Sequence, residues 1–156
     1  MEKEALKRIF DFLEEKGEHR APFLWKLLNN IPLTKEELDI EGDLDLSEVE
    51  VTSLPEGLKV GGDLNLEGLQ MASLPKGLKV GGLLILNLSE VTSLPNDLEV
   101  KSNLGLIGTN MATLPKGLEV GGDLYIINAK LLRYTNNELK EMVKPGFIKG
   151  KIIREW

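Results

Sequence analysis

Apolar and polar positions recur along this chain with a period of twenty. The phrase "SLPEGLKVGG" at 53–62 returns as "SLPKGLKVGG" at 73–82, loosens to "SLPNDLEVKS" at 93–102, and returns as "TLPKGLEVGG" at 113–122. Leu54, Leu58, Val60, Leu64, Leu66 and Met71 are matched twenty residues on by Leu74, Leu78, Val80, Leu84, Leu86 and Val91. Inside each unit the apolar residues alternate, Leu58-x-Val60 and Leu64-x-Leu66, which is the period of a strand and not of a helix. A unit this short cannot bury its own apolar side. Stacking solves that: equivalent strands lie about 4.8 Å apart, share backbone hydrogen bonds and pile their leucines into one interior column. The pattern therefore predicts Leu44, Leu64, Leu84, Leu104 and Leu124 directly above one another.

The polar punctuation predicts tight corners. Pro55, Pro75, Pro95 and Pro115 are followed two residues later by Gly57, Gly77, Asp97 and Gly117. Glycine accepts positive φ without steric cost, and Asp tolerates it better than most residues, so the third unit keeps the same turn. A second corner carries Gly61-Gly62, Gly81-Gly82 and Gly121-Gly122, but Lys101-Ser102 in the third unit. Lysine disfavours positive φ, so that corner is expected to form without it.

The pattern changes at both ends, where a stack needs sealing. Leu6, Ile9, Phe10 and Leu13 fall at helical spacing between Glu2 and Lys16, Gly17 is a stop, and "PFLWKLLNN" starts a second short helix with Pro22 in its first turn. Towards the C-terminus, Thr135 and Glu138 have capping-box spacing, Pro145-Gly146 is a stop, and "FIKGKIIREW" reads as a strand or hairpin closing the last coil.

The run Leu64-x-Leu66-x-x-Leu69-x-Met71-x-x-Leu74-Pro75 resembles the short leucine-rich repeat. The fuller wording LPxGLxVGGDLxL is similar to leucine-rich-repeat-like proteins of bacteria and their phages. The resemblance spans about residues 38–134 and implies a leucine-rich-repeat-like solenoid without naming a ligand. Two positions depart from the family pattern. Its asparagine position holds Val49, Leu69, Ser89, Thr109 and Ala129, and its first leucine is replaced by Gly61, Gly81 and Gly121. A curved horseshoe and a straighter β-solenoid with two or three short strands per coil both fit. The expected architecture is an α+β repeat protein in one domain, 1–156. It comprises a helical N-terminal cap (1–33), a leucine-rich-repeat-like solenoid of about five 20-residue coils (34–134), and a C-terminal helix and strand cap (135–156).

Composition narrows the function. The chain has 156 residues, 42% of them hydrophobic, and no cysteine, which excludes disulfides and thiolate metal sites and fits a reducing compartment. The charged start and the lack of a long apolar run suggest a cytoplasmic protein with no membrane partner. Charge is uneven within the total of −6: residues 33–100 hold 14 acids and 4 bases, net −10, whereas 101–156 hold 5 acids and 9 bases, net +4. An acidic middle repels a polyanion, so no nucleic-acid partner is expected. His19 is the only histidine, so no His-based triad or two-His metal motif can be assembled. Leu83 and Asn103 interrupt the column Asp43, Asp63, Asp123, no calcium-loop or G-x-S-x-G motif occurs, and neither enzyme, metal nor cofactor is expected.

What remains is the outward side of the strands. In coils one and two it carries Asp43, Asp45, Asp63 and Glu67, a candidate acidic face. In the later coils it carries Leu83, Ile85, Ile107, Tyr125 and Ile127, a candidate apolar interaction face of the kind that marks an interface. Three readings follow: a module binding a separate protein partner, a homo-oligomer packing this face on itself, and an acidic mimic of nucleic acid inhibiting another protein. The C-terminal segment folding back over the apolar residues would instead make them core.

Overall fold

The computed structural model describes residues 20–156 together with Glu4 and Arg8. The helix expected over 2–16 and His19 otherwise lie outside the described residues. The chain divides into two compact units, Met1–Leu38 and Asp39–Trp156.

In the first unit, helix α1 spans Arg20–Leu28 and buries Phe23. It ends where Asn30 turns left-handed (φ 55°), with the Ile31 N–H reaching Lys26 O and the Asn30 N–H reaching Leu27 O. This paired closure satisfies carbonyls that a helix end leaves open. Thr34 and Glu37 exchange backbone-to-side-chain hydrogen bonds across a turn. Burial pushes the Glu37 carboxyl up, but hydrogen bonds from Lys26 and Thr34, and the Lys26 charge, outweigh it and hold the group below the usual glutamate range.

The second unit is a β-solenoid of stacked 20-residue coils, each contributing two strands two residues long. One parallel sheet takes β1 (Asp39–Ile40), β3 (Lys59–Val60), β5 (Lys79–Val80), β7 (Glu99–Val100), β9 (Glu119–Val120) and β11 (Phe147–Ile148). The other takes β2 (Leu44–Asp45), β4 (Leu64–Asn65), β6 (Leu84–Ile85), β8 (Leu104–Gly105), β10 (Leu124–Tyr125) and β12 (Ile152–Ile153). Two sheets select the β-solenoid alternative, and the only third pairing outside these strands is a single parallel bridge, Ser73 to Ser93.

The register is the one the period dictates: Leu44 pairs with Leu64, Leu64 with Leu84, Leu84 with Leu104 and Leu104 with Leu124. All five leucines are buried, as are Val60, Val80, Val100 and Val120 of the facing sheet. These four steps make four complete 20-residue turns, where about five were expected. The count is lower because the pairing begins only at Asp39 and the fifth turn, from Glu119 to Phe147, takes 28 residues and not 20.

The last turn is longer. Leu124 pairs with Ile152, a step of 28. The added residues hold a 3-10 helix, Lys130–Arg133, and helix α2, Asn136–Val143, which starts on the expected capping box between Thr135 and Glu138. Strands β11 and β12 then add one rung to each sheet. The C-terminal segment thus extends the stack and does not fold back over the outward strand face. In the column of Leu46, Leu66, Leu86, Leu106 and Ile126, this rung carries Arg154, one residue beyond the Tyr125–Ile153 pair. Its guanidinium donates to Leu132 O, Tyr134 O and Asn136 Oδ1 at 2.8–2.9 Å.

The proline corner has the expected conformation: Gly57, Gly77 and Gly117 lie at φ 78° to 83° and Asp97 at 64°. The glycine pairs at the other corner have no positive φ, as Lys101 implied; their small size serves close approach of the neighbouring coil.

Candidate functional site

The period of twenty assigns every site residue expected from sequence to the outward side of the second sheet, and the structure divides them. Asp43, Asp45, Asp63 and Glu67 are exposed. Three of these carboxylates serve the backbone. Asp43 Oδ1 accepts the Asp63 N–H at 2.8 Å and Asp63 Oδ1 accepts the Leu83 N–H at 2.7 Å. Asn103 and Asp123 continue the device, accepting the N–H groups of Asp123 and Lys151. Each stacked acid or amide thus satisfies the same position one coil later, where no strand partner exists. Asp45 acts within its own coil: the Ser47 hydroxyl and then the Ser47 N–H donate to Oδ1, at 2.6 and 2.9 Å, and hold the carboxyl below the usual aspartate range.

This ladder explains the second glycine of each corner. A Cβ on Gly62, Gly82 or Gly122 would lie 2.1–2.2 Å from Asp43, Asp63 or Asn103 Oδ1 respectively. Where the ladder is broken by Leu83, the residue nineteen positions on is Ser102 and not glycine.

The apolar half begins at that break. Leu83, Ile85, Ile107 and Tyr125 are half-buried and lie on neighbouring rungs. Ile127 does not share this exposure: it is 4% accessible, although Asn128 after it keeps the left-handed conformation of Gly68, Leu88 and Gly108. Gly105 is buried because Asn87, one coil earlier, lies over it; a Cβ there would sit 2.7 Å from Asn87 Oδ1, which accepts the Ile107 N–H.

Sequence reasoning missed the most exposed member. Leu88 is 64% accessible and left-handed, φ 58°. In the same column Gly68, Gly108 and Asn128 take that conformation and are suited to it, whereas Glu48 does not take it. For a bulky L-residue it costs about 1–2 kcal/mol. Its side chain extends over Gly108, within 2.6 Å of where a Cβ would stand. The signal was present as the one apolar residue in a column of Glu48, Gly68, Gly108 and Asn128, hidden inside the apolar run "LLILNL".

An open groove of about 510 Å³ lies beside the first coils, lined by residues 47–52 and 68–70, with Glu48 and Glu50 as its only ionisable groups. Among the described residues, no three of His, Cys, Asp and Glu gather as a metal site, and no helix is long and apolar enough to cross a membrane. Compared with known protein families, characterised proteins and solved structures, the chain matches none.

Proposed function

We propose that this chain is a non-catalytic protein-interaction module of the leucine-rich-repeat-like kind found in bacteria and phages, working in the cytoplasm. The outward face of its second sheet is the recognition surface. The observation that carries this reading is Leu88, a large apolar side chain held in solvent by a backbone conformation that disfavours it, beside half-exposed Leu83, Ile85, Ile107 and Tyr125. Strained and exposed together, such a residue gives the fold nothing that glycine would not give better. The segments outside the repeat, residues 1–33 and 135–156, act as end caps. Mimicry of nucleic acid has less support, because one oxygen of each of Asp43, Asp45 and Asp63 is engaged within the chain.

The test is affinity capture from the native host with wild-type bait and with Leu88→Gly. Wild type is expected to retain a protein partner that Leu88→Gly loses while its melting temperature is unchanged or higher. Equal capture by both baits would refute the assignment of this face.

A further inference from the structure

Resting on that reading, we infer that the occupant of the face is a second copy of this chain, packed antiparallel about a two-fold axis that runs along the strands between coils three and four. Such an axis keeps every column opposite itself and reverses the order of the rungs, so coil three meets the partner's coil four and coil one meets its last rung. The apolar half fits this pairing, because coil three, with Leu83, Ile85 and Leu88, meets the partner's coil four, which carries half-buried Ile107.

Charge fits it at the ends. Exposed Asp43 comes opposite Lys151, and Glu41 opposite Lys149, twice per dimer. A pairing with the axis along the stack would instead keep every rung opposite itself and reverse the strands, so that coil three meets coil three and the basic last rung meets its own copy. The antiparallel arrangement makes one like-charge match, Asp63 against Asp123, and that match gives the inference its sharpest test.

The experiment is sedimentation equilibrium of the full chain from micromolar to millimolar concentration. The expected species is a dimer. Lys151→Gln should weaken it about two- to thirty-fold, since two exposed ion pairs of about 0.2–1 kcal/mol each are lost. Asp123→Asn should tighten it by a similar factor, because asparagine keeps the acceptor for the Lys151 N–H, as Asn103 does for Asp123, and removes the like-charge pair. Leu88→Gly should give a folded monomer. Tightening by Lys151→Gln, or a dimer indifferent to Leu88→Gly, would overturn the arrangement. A chain monomeric throughout would also overturn it, and if Leu88→Gly still abolished capture of another protein, the module reading would survive without it.

Discussion

Single side chains in this solenoid are tied to partners one coil away, so a substitution is best judged against the residue that stands on it. Gly82 illustrates the dependence: Gly82→Ala drives a methyl into Asp63 Oδ1 and should cost about 1–3 kcal/mol in denaturant unfolding. Asp63→Leu loses the acceptor of the Leu83 N–H, about 1 kcal/mol, but recreates the Leu83 and Ser102 combination. The double variant should therefore be more stable than the sum of the two predicts, by about 0.5–3 kcal/mol, and strict additivity would remove steric contact as the reason for the glycine. At Leu88 the same logic has the opposite sign. Leu88→Gly relieves about 1–2 kcal/mol of backbone strain against about 0.5–1 kcal/mol of added chain entropy, so stability should rise slightly or stay level. Asp45 gives a pH signature. Its folded carboxyl titrates below the unfolded value, so its contribution is present above the unfolded pKa and is lost as acid carries the solution down through the folded one. Ser47→Ala, followed by NMR titration, should move that carboxyl back towards an ordinary aspartate; an unmoved titration would exclude Ser47 as the cause.

At the scale of the coil, inward and outward positions differ in kind, and the sequence exposes the first more fully than the second. Leu84→Ala opens a cavity between two filled rungs and should lose about 2–5 kcal/mol of unfolding free energy. Asn87 occupies an outward column, where the period alone assigns it no partner. The structure gives it the Ile107 N–H and the cover of Gly105, so Asn87→Ala should cost about 1 kcal/mol, and Asn87→Asp, which keeps the acceptor, less. The interior was legible because each leucine could be compared with its equivalents in the other coils, and burial leaves one solution to that comparison. The outward side was only half legible. A polar residue at position 63 looks the same whether it solvates a face or accepts a hydrogen bond from coil three, and only coordinates show the oxygen's direction. Ile127 failed for a related reason: the period placed it in an outward column, but the turn that follows it carries a 3-10 helix and helix α2 that no earlier coil has, and it is buried where Ile107 is not.

A stack has no intrinsic length, because every rung offers the next one the same apolar column and the same unpaired backbone edge. What ends this one lies beyond the reach of a 20-residue comparison: the closing rung arrives after 28 residues, and the period alone does not reveal that Arg154 follows Ile126 in the column. Arginine there interrupts the apolar column with a charge. Its planar fork donates to two backbone carbonyls and an amide that have turned towards it, and its charge makes the column unattractive to another leucine. Arg154→Leu keeps the volume roughly but leaves those acceptors without their donor and continues the apolar column to the edge. Two consequences should follow together: a loss of about 1–3 kcal/mol in thermal or denaturant unfolding, and association that grows with concentration without stopping at a dimer, because an end-to-end contact does not close on itself. Arg154→Lys, which retains the charge but not the fork, should lose stability with little association. Light scattering across a concentration series separates the two effects, and an Arg154→Leu protein with the mass and stability of wild type would show that the stack is ended by helix α2 and the shape of the last turn, without help from this side chain.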